Sequence, residues 1–265
     1  MRPGRLTPPP AAVTETELYE RGMRTAAACW AAFAGSTSGA AVHRLPHVFV
    51  AVFPNEPERS IYNNAILDRD LAPAERAAAL EAMEELYAAA GVKRFAAWVH
   101  EDDHAMRKQL LRRGYAVDTA TRAMGMRLAD VTRPRPALEL AAADWREHLR
   151  LIGVAPDLLS GLDPATLQLV VARRGGENVG TGFGFDHEGD CGIYNVGTLE
   201  HARRQGVGSA VTSVLVHDAI GRGCRTASLQ STPTAERMYA AAGFRDLGRI
   251  IEYVPAQTSC GLTSR

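Results

Sequence analysis

What the chain lacks narrows the field first. It has no net charge: 30 Lys+Arg stand against 30 Asp+Glu, and the pI is near 7.1. The balance also holds locally, with 16 of each sign up to Asp130 and 14 of each beyond it. Neither half therefore offers a basic surface, and nucleic acid is not expected as the main partner. Cysteine is scarce; Cys29, Cys191, Cys224 and Cys260 show no Cys-x-x-Cys spacing. Reduced thiols in a cytoplasmic protein are the expectation. No secretory leader is expected, because residues 1–10 are rich in proline and have no apolar core. A membrane span is not expected either. The most alanine-rich helical run, near Thr14 to Ala34, carries Glu15, Glu17, Glu20, Arg21 and Arg24.

What is present is enough for two domains. The 265 residues are 46% apolar, ordinary for a globular protein, and suit two units of roughly 130 residues each. The first half echoes the second. Ile61-Tyr62-Asn63-Asn64-Ala65-Ile66-Leu67 reads against Ile193-Tyr194-Asn195-Val196-Gly197-Thr198-Leu199. Each run is followed by an apolar-periodic helix ending near a glycine, Gly91 or Gly223. A strand comes next, Phe95 to Val99 or Thr226 to Ser231, and then a short helix closed by Gly114-Tyr115 or Gly243-Phe244. The expected units are 1–130 and 131–265, divided in the stretch from Ala129 to Pro136, where Pro134 and Pro136 stop regular structure. Thr14 and Glu17 have capping-box spacing ahead of the first helix. Val48 to Phe53 reads as a strand. Leu167 to Ala172 and Val179 to Phe185 flank a turn at Gly175-Gly176-Glu177-Asn178, a hairpin signal. The polar tail after Pro255 is expected to be loose.

The stretch with the most chemistry is Arg203-Arg204-Gln205-Gly206-Val207-Gly208-Ser209-Ala210. It joins the strand ending at Leu199 to an apolar helix running from Val207 to Ile220. Two glycines one residue apart let backbone amides turn inward. The helix adds its unpaired N–H groups and the positive end of its dipole. Together these make a seat for a pyrophosphate, with Arg203 and Arg204 at its rim. A second pattern, Ala235-x-x-x-Tyr239-x-x-x-Gly243-Phe244, follows after one strand. The passage from Val179 to Tyr253, with both patterns in this order, resembles the GNAT superfamily of acyl-CoA N-acyltransferases.

That resemblance implies a fold class and a reaction. The fold would be α/β (α+β layered), two tandem GNAT-like domains. Each would be a mixed, mostly antiparallel sheet with a central parallel pair of splayed strands, flanked by helices. Acetyl-CoA would be the cosubstrate. Val196, Gly197 and Thr198 would pair with its pantetheine arm, and Arg203, Arg204, Gln205, Gly206, Val207, Gly208 and Ser209 would hold its pyrophosphate. A backbone N–H near Val196 would stabilise the oxyanion. Tyr239 would protonate the departing thiolate; taken without the loop upstream, it reads as a core tyrosine on an amphipathic helix. The acceptor would be a small-molecule or peptide amine that attacks directly in a ternary complex, with no metal, nucleic acid or membrane involved. The protein would be a monomer or a homodimer. The first copy has Leu71, Ala74 and Arg76 where the second has Arg203, Gly206 and Gly208, and Leu110 where it has Tyr239. It would keep the architecture without binding the cofactor, and would help wall the acceptor pocket of a single working site in residues 137–255.

Some readings stay open at this stage. Glu200, His187, Glu188 and Asp190 are candidate bases, each also readable as a solvated loop residue. Thr232 stands where many family members carry a cofactor-touching asparagine. Gly180, Gly182 and Gly184 strip one strand face of side chains, either for a ligand or for close packing. A CoA-binding sensor or scaffold without catalysis is the alternative function. A third reading, a zinc hydrolase, rests on His100-Glu101-Asp102-Asp103-His104, which matches His-Glu-x-x-His. That motif needs both imidazoles on one face of one helix. Here the repeat puts it at a strand-to-helix junction, with Asp102 or Asp103 as the N-cap.

Overall fold

The computed structural model describes residues 13–55, 62–142, 144–154 and 161–256. The proline-rich start, Ile61, Cys260 and the tail beyond residue 256 lie outside them. The first half opens with α1 (Glu15–Gly35), whose N-cap Thr14 accepts a hydrogen bond from the Glu17 N–H at 3.1 Å. It continues through β1 (Ala41–Leu45), β2 (Val48–Val52), β3 (Asn64–Leu67), α2 (Pro73–Ala89), β4 (Ala96–His100), α3 (His104–Arg112) and β5 (Tyr115–Arg127). The second half repeats this order: α4 (Trp145–Leu151), β6 (Gln168–Arg174), β7 (Glu177–His187), β8 (Asp190–Thr198), α5 (Val207–Gly221), β9 (Thr226–Ser231), α6 (Glu236–Ala241) and β10 (Arg245–Pro255). Neither helix nor strand occupies residues 131–139 between them.

All ten strands join one sheet in the order β1-β2-β3-β4-β10-β5-β9-β8-β7-β6. Two pairs are parallel, β3 with β4 and β8 with β9, one in each half. The last strand of each half has crossed to the other. β10 pairs with β4 from Ile250↔His100 to Tyr253↔Ala97, and β5 pairs with β9 from Arg122↔Ser231 to Arg127↔Thr226. The repeats are consecutive in sequence, yet the sheet that they build is interlocked.

Alternation along the strands divides the core between two faces. On one face α2 and α3 cover Val50, Ala97, Val99 and Tyr253, while α5 and α6 cover Met124, Met126, Ala227 and Leu229. On the other, α1 lies across the middle, against Phe49, Ala51, Ala123 and Ile250, and α4 sits beside Phe183. The alternating glycines of β7 serve packing. A Cβ at Gly180 would lie 2.5 Å from Val207 Cγ1, and one at Gly182 would lie 3.0 Å from Val211 Cγ1. They let α5 settle onto the sheet and leave no floor for a ligand there. The β6–β7 turn is two residues long, Gly175 and Gly176, both at positive φ as a two-residue hairpin favours; Glu177 and Asn178 already belong to the strand.

Asp190 corrects an expectation. It is no solvated turn residue: it begins β8, is buried, and accepts three hydrogen bonds. Thr226 Oγ1 donates at 2.7 Å, Ser228 Oγ at 2.6 Å, and Thr25 Oγ1 of α1 at 2.8 Å. A buried carboxylate is tolerable only when satisfied in this way. This one clamps β8 to β9 at the closed end of their pair and ties both to the first half.

Candidate active site

Beyond that clamp the two strands part. Register pairs between β8 and β9 run only from Asp190↔Thr226 to Gly192↔Ser228, although β8 continues to Thr198 and β9 to Ser231. The backbone of β8 from Ile193 onward thus has a free edge facing the gap. Its other edge pairs with β7 and carries a bulge. Register passes from Phe183↔Tyr194 to Thr181↔Gly197, so Asn195 and Val196 both oppose Gly182, and Asn195 has φ 50°. A bulge re-aims the backbone of the strand that carries it, here at Val196 beside the gap. At Gly197 the close neighbour is Ile152: a Cβ there would lie 2.8 Å from its Cγ2.

From Thr198 the chain passes through a short 3-10 turn, Glu200–Ala202, into the glycine loop. Arg204 has φ 62° and Gly206, the N-cap of α5, has φ 82°. This left-handed geometry is what glycine supplies cheaply. Among the described residues, the backbone N–H groups from Arg204 to Ser209 meet no acceptor. Six consecutive free donors at a helix start, with no acidic residue in the first turn, make a seat for a phosphate anion. A Cβ at Gly206 would meet nothing within 4 Å, whereas Gly208 lies against Met238 Sδ, 3.3 Å from its would-be Cβ. Several side chains of the loop are committed elsewhere. Arg203 Nε donates to the Thr198 carbonyl at 3.2 Å, Gln205 Nε2 donates to the His201 carbonyl at 2.9 Å, and Val207 is buried under β7. Arg204 and Ser209 are exposed.

The start of α2 stands at the same place in the first half and is built differently. Pro73 removes a donor. Glu75 turns back so that its Oε2 accepts the Ala72 N–H at 2.9 Å. Arg76 folds over the loop, donating to the Leu71 carbonyl and to Gln109 Oε1. This helix start carries its own anion.

A cavity of about 500 Å³ runs through the gap between β8 and β9. Ile193, Val196 and Tyr239, which belong to the α5/α6 side, meet Trp30, Thr121 and Gln230 of the α1 side in its wall. Tyr239 is buried on α6, and burial pushes its phenol up to about 12. Its hydroxyl has no protein partner among the described residues and stays protonated at neutral pH. Thr232 is also in the wall, its hydroxyl 3.1 Å from that of Thr234. Of the base candidates, Glu200 and Glu188 are exposed, His187 is half-buried, and Asp190 is held in the clamp; none lines the cavity. The carboxylate that does is Glu252 of β10. Sequence reasoning passed it over. Its signal was a lone charge in the apolar run Ile250-Ile251-Glu252-Tyr253-Val254.

The His-Glu-x-x-His pattern does not assemble. His100 ends β4 and His104 begins α3, so no one helix face carries both. The His100 ring sits between the Leu247 carbonyl, 3.0 Å from Nε2, and the Asp102 N–H, 3.2 Å from Nδ1. Glu101 accepts the Arg249 N–H at 2.7 Å, and Asp103 caps α3 through the Met106 N–H at 2.9 Å. His100 and Glu101, two of the three residues that a hydrolase would need, are thus fastening turns, and the third, His104, is exposed at the start of α3.

Comparison with known proteins agrees with this geometry. Residues 134–244 match the model of the acetyltransferase (GNAT) family. Among solved structures, the chain is similar to a GCN5-related N-acetyltransferase from Kribbella flavida, with 20% identity and a TM-score of 0.68 over 88% of this chain and 95% of that one. A GCN5-related N-acetyltransferase from Sphaerobacter thermophilus gives 17% identity and a TM-score of 0.59, over 78% and 76%. A tandem GNAT protein from the clavulanic acid biosynthesis pathway gives 13% and 0.55, over 78% and 77%. At these identities the likeness is one of fold. No curated protein matches the chain. No helix among the described residues is long and apolar enough to cross a membrane.

Proposed function

The chain belongs to the GNAT superfamily through residues 134–244, and on that premise we propose that it transfers an acetyl group from acetyl-CoA to an amine, by direct attack within a ternary complex. The observation that carries this reading is the row of six N–H groups from Arg204 to Ser209 that meet no acceptor among the described residues, on the loop that follows β8, the strand whose Val196 lines the cavity with Tyr239. Bound acetyl-CoA supplies an activated thioester. The loop amides and the exposed Arg204 hold its diphosphate, and the free edge of β8 at Val196, Gly197 and Thr198 aligns the arm that follows. The bulge brings a backbone N–H near Val196 toward the developing oxyanion. Tyr239 keeps its proton until the thiolate needs one. Direct attack is favoured over an acyl-enzyme. Among the described residues the one cysteine lining the cavity is Cys29, and burial holds its thiol neutral, well above the usual range.

The test is a thiol-release assay with acetyl-CoA and a panel of amines, run beside calorimetry with coenzyme A. Turnover with an amine is expected. Coenzyme A binding without turnover on any amine would instead mark a sensor or scaffold. Tyr239→Phe is expected to lower kcat about 100-fold while leaving coenzyme A affinity unchanged. Since the phenol titrates at about 12, no alkaline loss of rate below pH 10 should trace to it. An unchanged kcat in the variant would remove Tyr239 from the chemistry.

A further inference from the structure

Resting on that acyl-transfer reading, we propose that the acceptor is a primary amine with a single positive charge on an apolar, ring-bearing body, and that Glu252 both holds its ammonium and takes its proton. The cavity wall makes the first half of the case. All three tryptophans of the chain line it, Trp30, Trp98 and Trp145, together with Phe33, Phe53 and Tyr62. Most of these come from the first half, which lacks an open anion seat. The rings hold one another in place. Trp30 meets Trp98 edge-on at 4.9 Å, Phe33 meets Phe183 at 6.2 Å, and Trp145 stacks on His148 at 5.0 Å. His148 is buried and neutral, its imidazole pushed down to about 4 by burial, and its Nδ1 lies 2.8 Å from Thr181 Oγ1. Such a wall favours a flat apolar body and attracts one cation to its ring faces.

Charge makes the second half. Among the described residues Glu252 is the one charged side chain lining the cavity. It stands on β10 in register with Trp98 on β4 and Thr119 on β5. Its carboxylate has no protein partner among the described residues. Thr121, two residues along β5 from Thr119, also lines the cavity, with a buried hydroxyl that no protein group satisfies. A carboxylate and a hydroxyl left unmatched in one cavity are what an incoming ammonium would satisfy. Burial first, and the Asp118 carboxylate second, raise Glu252 to about 7. Asp118 is itself 3.7 Å from Arg94. On β4, His100 is occupied by Leu247 and Asp102, and α1 turns only Ala26, Cys29, Trp30 and Phe33 to the cavity. No cation of the protein therefore neutralises Glu252 from these elements. A polyamine or aminoglycoside would have to bury further cations in this cavity with no counter-ion, which their desolvation opposes.

The proton balance closes. An alkylammonium with pKa near 10.4 is about 0.1% neutral at pH 7.4, a cost of roughly 4 kcal/mol unless a base assists. Glu252 accepts one proton from the ammonium, and the freed lone pair bonds to the acyl carbon. The tetrahedral oxyanion collapses, the C–S bond breaks with its electron pair on sulfur, and the thiolate takes the Tyr239 proton. The second nitrogen proton, lost as the amide forms, restores Tyr239 through solvent, and Glu252 releases its own proton to solvent.

The full chain tests this in two independent ways. The first reads the cavity without turnover: 2-phenylethylamine is expected to change the tryptophan fluorescence and spermidine is not. The second reads turnover. The expected kcat/KM for 2-phenylethylamine exceeds that for spermidine or an aminoglycoside at least tenfold, and rises with pH through about 7 as Glu252 ionises. Glu252→Gln should lose about 100-fold in kcat/KM at pH 8 and lose that acid limb. It should keep the coenzyme A affinity of the unchanged chain, which certifies its fold, and its fluorescence response to the uncharged 2-phenylethanol. Preference for a polycation, or an acid limb that survives in Glu252→Gln, overturns the proposal while leaving acyl transfer standing. Failure to bind acetyl-CoA at all overturns both.

Discussion

Two helices of this molecule begin at the same point of the same repeat and do opposite things. At α5, Gly206 turns left-handed at φ 82° and six N–H groups meet no partner among the described residues. At α2, Pro73 deletes one donor, Glu75 supplies a carboxylate to another, and Arg76 closes the loop over Leu71. Both helices have the same dipole. The difference lies in what else stands at the helix start. An anion seat needs backbone donors that nothing internal has claimed, and at α2 a proline, a carboxylate on the Ala72 N–H and a folded-over arginine together remove that opening. The half without the seat still has work: it gives α1, Phe53, Tyr62 and Trp98 to the cavity wall, and β5 to the sheet of its neighbour.

This contrast can be broken at several scales. The largest effect should follow from separating the halves. Residues 131–265 alone would lose β5 from the edge of β9 and leave β10 without either of its partners, β4 and β5. That fragment should show no cooperative thermal transition by circular dichroism; a sharp one would mean that the interlock is dispensable. Next comes Ser209→Glu, which places a carboxylate in α5 at the position Glu75 holds in α2, three residues after the cap. Coenzyme A affinity should fall about 100-fold, or ~2.7 kcal/mol, with Tm little changed; undiminished binding in calorimetry would mean that the diphosphate sits elsewhere. The smallest effect is expected from Glu75→Gln. Weakening an exposed capping contact should cost about 0.5 kcal/mol of stability in denaturant melts. It should create no coenzyme A site in the first half, because Pro73 and Arg76 remain.

Much of this was legible before any fold was known, and for local reasons. The capping of α1 by Thr14, the Gly175-Gly176 hairpin, the strand Thr226 to Ser231 and the glycine loop before α5 all depend on residues within a turn of one another. The repeat was legible because order along the chain is itself sequence. Other features were not. Asp190 read as a solvated residue because its three hydroxyl donors lie on β9 and on α1, 165 residues away for Thr25. Gly180, Gly182 and Gly184 left ligand and packing equally open, since only the approach of α5 to the first two, and of Cys191 to the third, decides between them. Glu252 was missed because its importance comes from the walls around it, and those walls come from both halves.

Sequence alone thus determined the local devices: a helix start bare enough to seat a phosphate, a tyrosine on the helix that follows, and a second copy whose own helix start is blocked. These rest on short-range sterics and hydrogen bonding. Only tertiary structure decided that the final strands change places, that the parallel pair is clamped at one end and open at the other, and that three tryptophans and Glu252 line one cavity. Sheet order and cavity shape depend on contacts between residues far apart in the chain, and no local pattern encodes which of them meet.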